Sequence, residues 1–162
     1  MVLSELTIEI LLAGIAGGIL GAAIGALPAL SLAGLTIVAG EILTLVSPDG
    51  EMMTLDMFGV EAATLDAIGA TAVVGFGPVL GPHVAFAGGV AAAAYAGRKE
   101  MFDTTFRYHP AKQIARPLGS SPRILLVGGA FGLFGVFIAR LAAGLSVPLD
   151  PIALAVVLSA IV

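Results

Sequence analysis

A ladder of glycines occurs twice in this chain. The run Leu11-Leu12-Ala13-Gly14-Ile15-Ala16-Gly17-Gly18-Ile19-Leu20-Gly21 returns 114 positions later as Leu125-Leu126-Val127-Gly128-Gly129-Ala130-Phe131-Gly132-Leu133-Phe134-Gly135. Both leucines recur, as do the glycines at relative positions 4, 8 and 11. In water so many glycines weaken a helix, but in lipid the backbone has no other partner than itself and helix remains its economical state. Gly14, Gly18 and Gly21 then form a groove on one helix, and Gly128, Gly132 and Gly135 form the same groove on another. Such grooves let a neighbouring helix approach closely. The plain reading of both is a packing seam without chemistry.

Composition agrees with a lipid setting. The 162 residues are 59% hydrophobic and 11% charged, against roughly 25% charged in soluble domains, and the mean hydropathy is +1.09. The charges cluster in two stretches, and between them lie apolar runs near the ~20 residues that span a ~30 Å hydrocarbon core. The absence of cysteine excludes disulfides and thiolate chemistry. A net charge of −4 opposes nucleic acid as a partner, because phosphate binding needs a basic surface. The first nine residues carry Glu5 and Glu9 and no basic residue, unlike a cleavable signal peptide.

The chain reads as an all-α, polytopic α-helical membrane protein with about five transmembrane segments. The first covers residues 6–27. Pro28 is expected to separate it from the second, 29–46, which ends at the turn Ser47-Pro48-Asp49-Gly50. An acidic stretch follows, with Asp49, Glu51, Asp56, Glu61 and Asp66. The third segment, 68–97, is broken by Gly75-Phe76-Gly77-Pro78-Val79-Leu80-Gly81-Pro82-His83. Two Gly-Pro pairs four residues apart do not fit an undisturbed helix. A helix ending near Phe76, a short irregular passage and a second helix from about Pro82 to Gly97 are predicted, with Pro82 in the first turn. Six of the seven basic residues, Arg98, Lys99, Arg107, Lys112, Arg116 and Arg123, sit in or at the edge of the loop 98–122. Ser121-Pro122 and Asp150-Pro151 then open a fourth segment, 123–145, and a fifth that is short where the sequence stops, as though a second unit were incomplete. The organisation is a first three-span unit, 1–97, the basic loop 98–122, and the start of a second unit, 123–162.

Basic loops stay in the cytoplasm. This puts the loop 98–122 inside, the acidic stretch outside and the N-terminus outside, in a multi-pass protein of the cell membrane. The two ladders then cross in opposite directions, which is the inverted repeat of secondary transporters. A competing topology makes 60–77 and 79–97 two separate spans.

Ionisable residues within spans cost roughly 2.5–3.5 kcal/mol at the bilayer centre and so mark candidate sites. Four occur: Glu9, Glu41, His83 and Arg140. At 1.5 Å per residue, Glu41 lies ~9 Å from the outer surface, His83 ~21 Å and Arg140 ~25 Å from the inner one. All fall in the outer third. The functional reading is a polar vestibule in which Glu41, His83 and Arg140 stand beside the break at Gly77, Pro78, Gly81 and Pro82. Freed backbone groups there could bind an ion, and His83 could carry protons. The plain reading is that Glu9 and Arg140 reach the surface, Glu41 pairs with Arg140 and His83 bonds a nearby carbonyl. His109 belongs to the solvated loop. No His-Glu-x-x-His, Gly-x-Ser-x-Gly, Walker or dinucleotide motif is present, so neither an enzyme nor a cofactor or metal is expected.

Gly77-Pro78, Gly81-Pro82-His83, Ala87-Gly88-Gly89-Val90 and Leu126-Val127-Gly128-Gly129 together resemble an uncharacterised family of multi-spanning membrane proteins from halophilic archaea. The resemblance covers about the last two-thirds of the chain. It implies membrane class and repeat architecture and carries no activity. The expected function is secondary transport of a small solute or ion, with the lipid bilayer as surroundings and a second copy or partner membrane subunit as company. A non-transporting subunit or scaffold that associates through glycine faces is the alternative, and a channel the third reading.

Overall fold

The computed structural model describes residues 6–46, 69–101, 113–119 and 121–162. Among these every element is helical: α1 (Ile8–Ile24), α2 (Ala26–Val46), α3 (Ala87–Arg98), α4 (Pro122–Gly144) and α5 (Pro151–Ile161), with wider helical turns at Gly69–Gly75 and Pro82–Phe86. The acidic stretch 49–66 and most of the basic loop, His109 included, lie outside the described residues.

Thr7 caps α1, its hydroxyl oxygen accepting from the Ile10 amide at 3.4 Å. The boundary with α2 differs from the expected one. The break is at Gly25, whose φ of +99° is a conformation that side chains oppose. Pro28 instead falls in the first turn of α2, where its missing N–H would have had no partner within the helix. The two helices turn by 119° at this elbow. The elbow is held from outside, because the Leu27 amide donates to the Ile114 carbonyl at 3.1 Å. A methyl group at Gly25 would also meet the Arg116 carbonyl oxygen at 2.9 Å.

The third segment leaves helix at Phe76 and resumes it at Pro82. On both sides the helix is widened to i→i+5 bonding. The Phe76 amide donates to the Thr71 carbonyl at 2.9 Å, and the Ala87 amide reaches back to Pro82. Pro82 is the first residue after the break. Each proline removes a donor, and π-type turns absorb such gaps.

Pro122 and Pro151 likewise open α4 and α5. Asp150 caps α5, with Oδ1 accepting from the Ala153 amide at 2.6 Å. Replacing it with alanine removes that acceptor and should lower stability by about 0.5–2 kcal/mol. Thermal unfolding in detergent measures this, and Asp150→Asn should retain most of the cap.

The most extensive helix contact joins α1 to α4, ladder against ladder and antiparallel. A methyl at Gly14 would strike Val136 Cγ2 at 2.8 Å, and a methyl at Gly128 would strike Ala22 Cβ at 2.6 Å. Between these pairs Gly18 and Gly132 face each other, each methyl position lying within 2.9 Å of the other's Cα. The contacts are reciprocal: relative position 4 of each ladder meets position 12 of the other, and position 8 meets position 8. The third helix joins at the same level, since a methyl at Gly88 would fall 2.7 Å from both the Gly18 Cα and the Gly128 carbonyl oxygen. Three backbones therefore meet at Gly18, Gly88 and Gly128, closer than any side chain allows.

Burial is inverted in size. The core is alanine, including Ala22, Ala26, Ala85, Ala92, Ala96 and Ala155, and its largest fully buried side chains are only Val84 and Val136. The large apolar residues point outward: Leu35 is 67% exposed, Leu126 71% and Ile161 75%. α4 is the one described helix long and apolar enough to cross a membrane, while α1 and α2 pass the same measure together as a bent pair.

Charge is divided between the two ends of the bundle. The C-terminal part of α3 meets the N-terminal part of α4 and the C-terminal part of α1 around Ala96, Ile124 and Ala22. Arg98, Lys99, Arg116 and Arg123 therefore share one end, together with Glu100. The N-terminus of α1 with Glu9, and the α4–α5 turn with Asp150, stand at the opposite end, and Arg140 lies near it.

Candidate functional site

At that opposite end the break in the third segment opens a cleft of about 320 Å³. Gly77, Pro78 and His83 line it from the break, Arg140 from α4, and Asp150 from the start of α5. Phe76, Val136, Ala139 and Ile152 supply apolar wall. An adjoining space of about 350 Å³ reaches Thr71 and shares Ala72, Phe76, Asp150 and Ile152 with it.

His83 is the most constrained residue of the site. It is the one buried polar or charged side chain among the described residues, at 5% exposure. Two glycines make room for it. A methyl at Gly81 would lie 2.6 Å from the imidazole Cε1, and a methyl at Gly135 would collide with the His83 carbonyl oxygen. Gly21, the corresponding glycine of the first ladder, is pressed in the same way against the Ala85 carbonyl. Both ladders therefore grip the short element Pro82–Phe86, and Gly17 takes the Val79 carbonyl of the preceding turn. Locked in this way, His83 has its Nδ1 buried without a hydrogen-bond partner. Buried nitrogens are rarely left so, and an orphan of this kind calls for an explanation.

The backbone of the break is less available than its glycines and prolines imply. The Gly77 amide donates to Val74 at 3.3 Å and the Gly81 amide to Gly77 at 3.0 Å. The carbonyl of Gly81 accepts from Val84 at 2.8 Å and Ala85 at 3.0 Å. The ionisable side chains that line the cleft are His83, Arg140 and Asp150.

The structure brings together Gly77, Pro78, His83 and Arg140, with Gly81 and Pro82 behind His83. It does not bring Glu41 into the same cleft. Glu41 is exposed, and its Oε1 accepts from the Thr71 hydroxyl at 2.9 Å. Thr71 faces the adjoining space, so Glu41 stands beside the site at one remove. Two residues enter that the sequence did not point to as site residues. Asp150 carries a cap signature that hides its second role, and Thr71 carries no signal. Gly14, Gly18, Gly128 and Gly132 lie away from the cleft at the helix crossing. Among the described residues no three His, Asp or Glu side chains gather in a way that could hold a metal ion.

Neither a curated protein nor a solved structure matches the chain. A family model does match it over residues 1–162, and on that full-length match the chain belongs to the family of unknown function DUF7973.

Proposed function

We propose that this chain is an integral membrane protein of inverted-repeat type that carries a small solute or ion across the bilayer. The observation that carries the membrane part is the inverted burial. A bundle in water gains stability by hiding leucine and isoleucine. Here alanine and glycine fill the interior while Leu35, Leu126 and Ile161 face outward. This is the economy of helices in lipid, where close backbone packing replaces the hydrophobic effect as the source of association.

Two further observations support the repeat. The ladders cross antiparallel with reciprocal register about Gly18 and Gly132, as two units of opposite orientation would. The division of charge between the ends supports a cytoplasmic basic loop and an outward cleft under the positive-inside bias. Spans beyond α4 need the α1–α2 pair and the broken third segment to cross as bent or interrupted elements, which membrane proteins tolerate where the break lines a cavity.

The transport reading rests on the cleft itself: a broken helix, a buried histidine and two charges at an apolar-walled opening. The alternative, a subunit that binds partner helices, is favoured by one feature. Leu27, Leu30, Leu35, Val38 and Ile42 of α2 remain exposed. Uptake by proteoliposomes of a panel of labelled small solutes and monovalent ions tests the proposal. Wild-type protein should show flux that His83→Ala reduces at least ten-fold. Absence of flux across the panel, together with co-purification of a membrane partner, would overturn transport in favour of the subunit.

A further inference from the structure

We infer that the basic end of the bundle is a docking surface for the anionic phospholipid headgroups of one bilayer leaflet, whose phosphates stabilise the packing of α1, α3 and α4 beneath it. The inference rests on the membrane reading and is independent of transport and of the cleft.

Charge at this end is concentrated and unbalanced. Arg98 closes α3 and Lys99 follows it, Arg116 lies in the segment 113–119, and Arg123 stands in the first turn of α4. All four are exposed, and Glu100 is the one acid beside them among the described residues. Arg116 already has a partner. Arg98, Lys99 and Arg123 make no ion pair among the described residues. The other described acids are far from them: Glu9 and Asp150 belong to the opposite end, and Glu41 is bonded to Thr71 beside the space that Asp150 lines.

Local helix chemistry explains only part of this crowding. Cations suit the C-terminal end of α3, where the helix dipole is negative. Arg123 stands at the other kind of end. The first turn of α4 holds no acidic residue, and there a cation meets the positive pole of the dipole. Nor can the charges spread apart. Ala96 of α3, Ile124 of α4 and Ala22 of α1 share one buried cluster, with Tyr95, Leu118 and Leu125 packed on it. An external anion relieves the repulsion that this packing enforces.

The surface bordering the charges is apolar. Met101 is 41% exposed, and Leu126, one turn along α4 from Arg123, is 71% exposed. Pro117 and Pro122 are exposed as well. Cations bordered by exposed apolar side chains match a bilayer interface, where phosphates lie over acyl chains. A free phosphate or an acidic protein segment meets the charge alone and leaves Met101 and Leu126 uncovered. Attraction to anionic lipid grows with each Lys or Arg held near the surface.

The test is thermal unfolding of the full chain at low salt in bicelles of phosphatidylcholine alone, and of phosphatidylcholine with about one-third phosphatidylglycerol. The anionic lipid should raise the midpoint by about 5 °C or more. Arg98→Gln, Lys99→Gln and Arg123→Gln together should shrink that rise to below about 2 °C. The same variant should unfold in neutral bicelles at an unchanged or higher midpoint, since its repulsion is gone. Arg98→Lys with Arg123→Lys keeps the charge and should keep most of the rise, whereas ~0.5 M salt should remove most of it. No rise, or a rise that the glutamine variant retains in full, overturns the inference. So does an equal rise in neutral bicelles from inorganic phosphate or polyglutamate, which would assign the patch to a free anion or an acidic protein segment. The two readings fail separately. A chain that enters both bicelles and shows no rise keeps the membrane reading and loses this surface. A chain that enters neither loses the membrane reading, and its flotation with anionic but not neutral vesicles would keep the surface alone; without flotation both fall.

Discussion

Gly18→Leu should leave no folded protein, and Gly18→Ala should lower stability by about 1–3 kcal/mol. The reason is that the obstacle is backbone. A methyl group at Gly18 runs into the Gly128 carbonyl and lies 2.9 Å from the Gly132 Cα. No rotamer change moves either atom, so α1 and α4 must separate, and the contact of Gly88 with both must open as well. Thermal unfolding followed by circular dichroism in detergent measures the alanine variant, and size-exclusion chromatography reports the loss of a discrete species for leucine. Gly132→Ala should behave like Gly18→Ala, and the double variant should cost less than their sum, because helices already pushed apart accept the second methyl. Gly34 provides the contrast. No described atom lies within 4 Å of a methyl there, so Gly34→Ala should raise stability by the helix-propensity difference, about 0.5–1 kcal/mol. An unchanged unfolding midpoint for Gly18→Ala would contradict the crossing.

Ala130→Arg should be the most damaging single change on the outer surface. Ala130 is exposed and lies close to the middle of the 23-residue α4. In water a substitution at such a position usually stays within ~0.5 kcal/mol. At the centre of a bilayer the same arginine costs about 2.5–3.5 kcal/mol. Leu126→Arg, one turn nearer the basic end, should cost distinctly less, because its guanidinium can reach the interface. The yield of folded protein in the membrane fraction and the unfolding midpoint in lipid bicelles read both. Equal tolerance of the two arginines, with the protein monomeric in detergent-free buffer, would remove the membrane reading.

Much of the helix layout was legible in the sequence because proline, glycine and cap residues act locally. Pro122, Asp150-Pro151 and the two Gly-Pro pairs each stand at a helix start or break for reasons carried by one or two residues, whereas the Ser121 side chain makes no cap bond to α4. Pro28 shows where local reasoning slips. The same missing N–H that breaks a helix interior does no harm in a first turn, and which case applies depends on where the helix begins. That point is set by Gly25, whose role as elbow depends on Ile114 and Arg116 some ninety residues away. The ladder grooves could be read from spacing, but not their partner, since a groove of small residues accepts any close helix. The cleft was legible in part. His83, Arg140 and the break follow from burial cost and backbone chemistry. Asp150 and Thr71 enter through tertiary placement alone, and the same placement keeps Glu41 outside.

The crossing of α1 and α4 at Gly18 and Gly132 has the geometry of a fulcrum. At Gly18 and Gly132 themselves the contact is backbone on backbone, with the Ile15 and Ile19 side chains packed beside it over Gly129. The pairs Gly14–Val136 and Ala22–Gly128 stand one turn to either side and act as the two arms of a balance. A tilt that spreads the first presses the second together. Because Gly21 and Gly135 both hold the element that carries His83, the position of the histidine is tied to both helices at once.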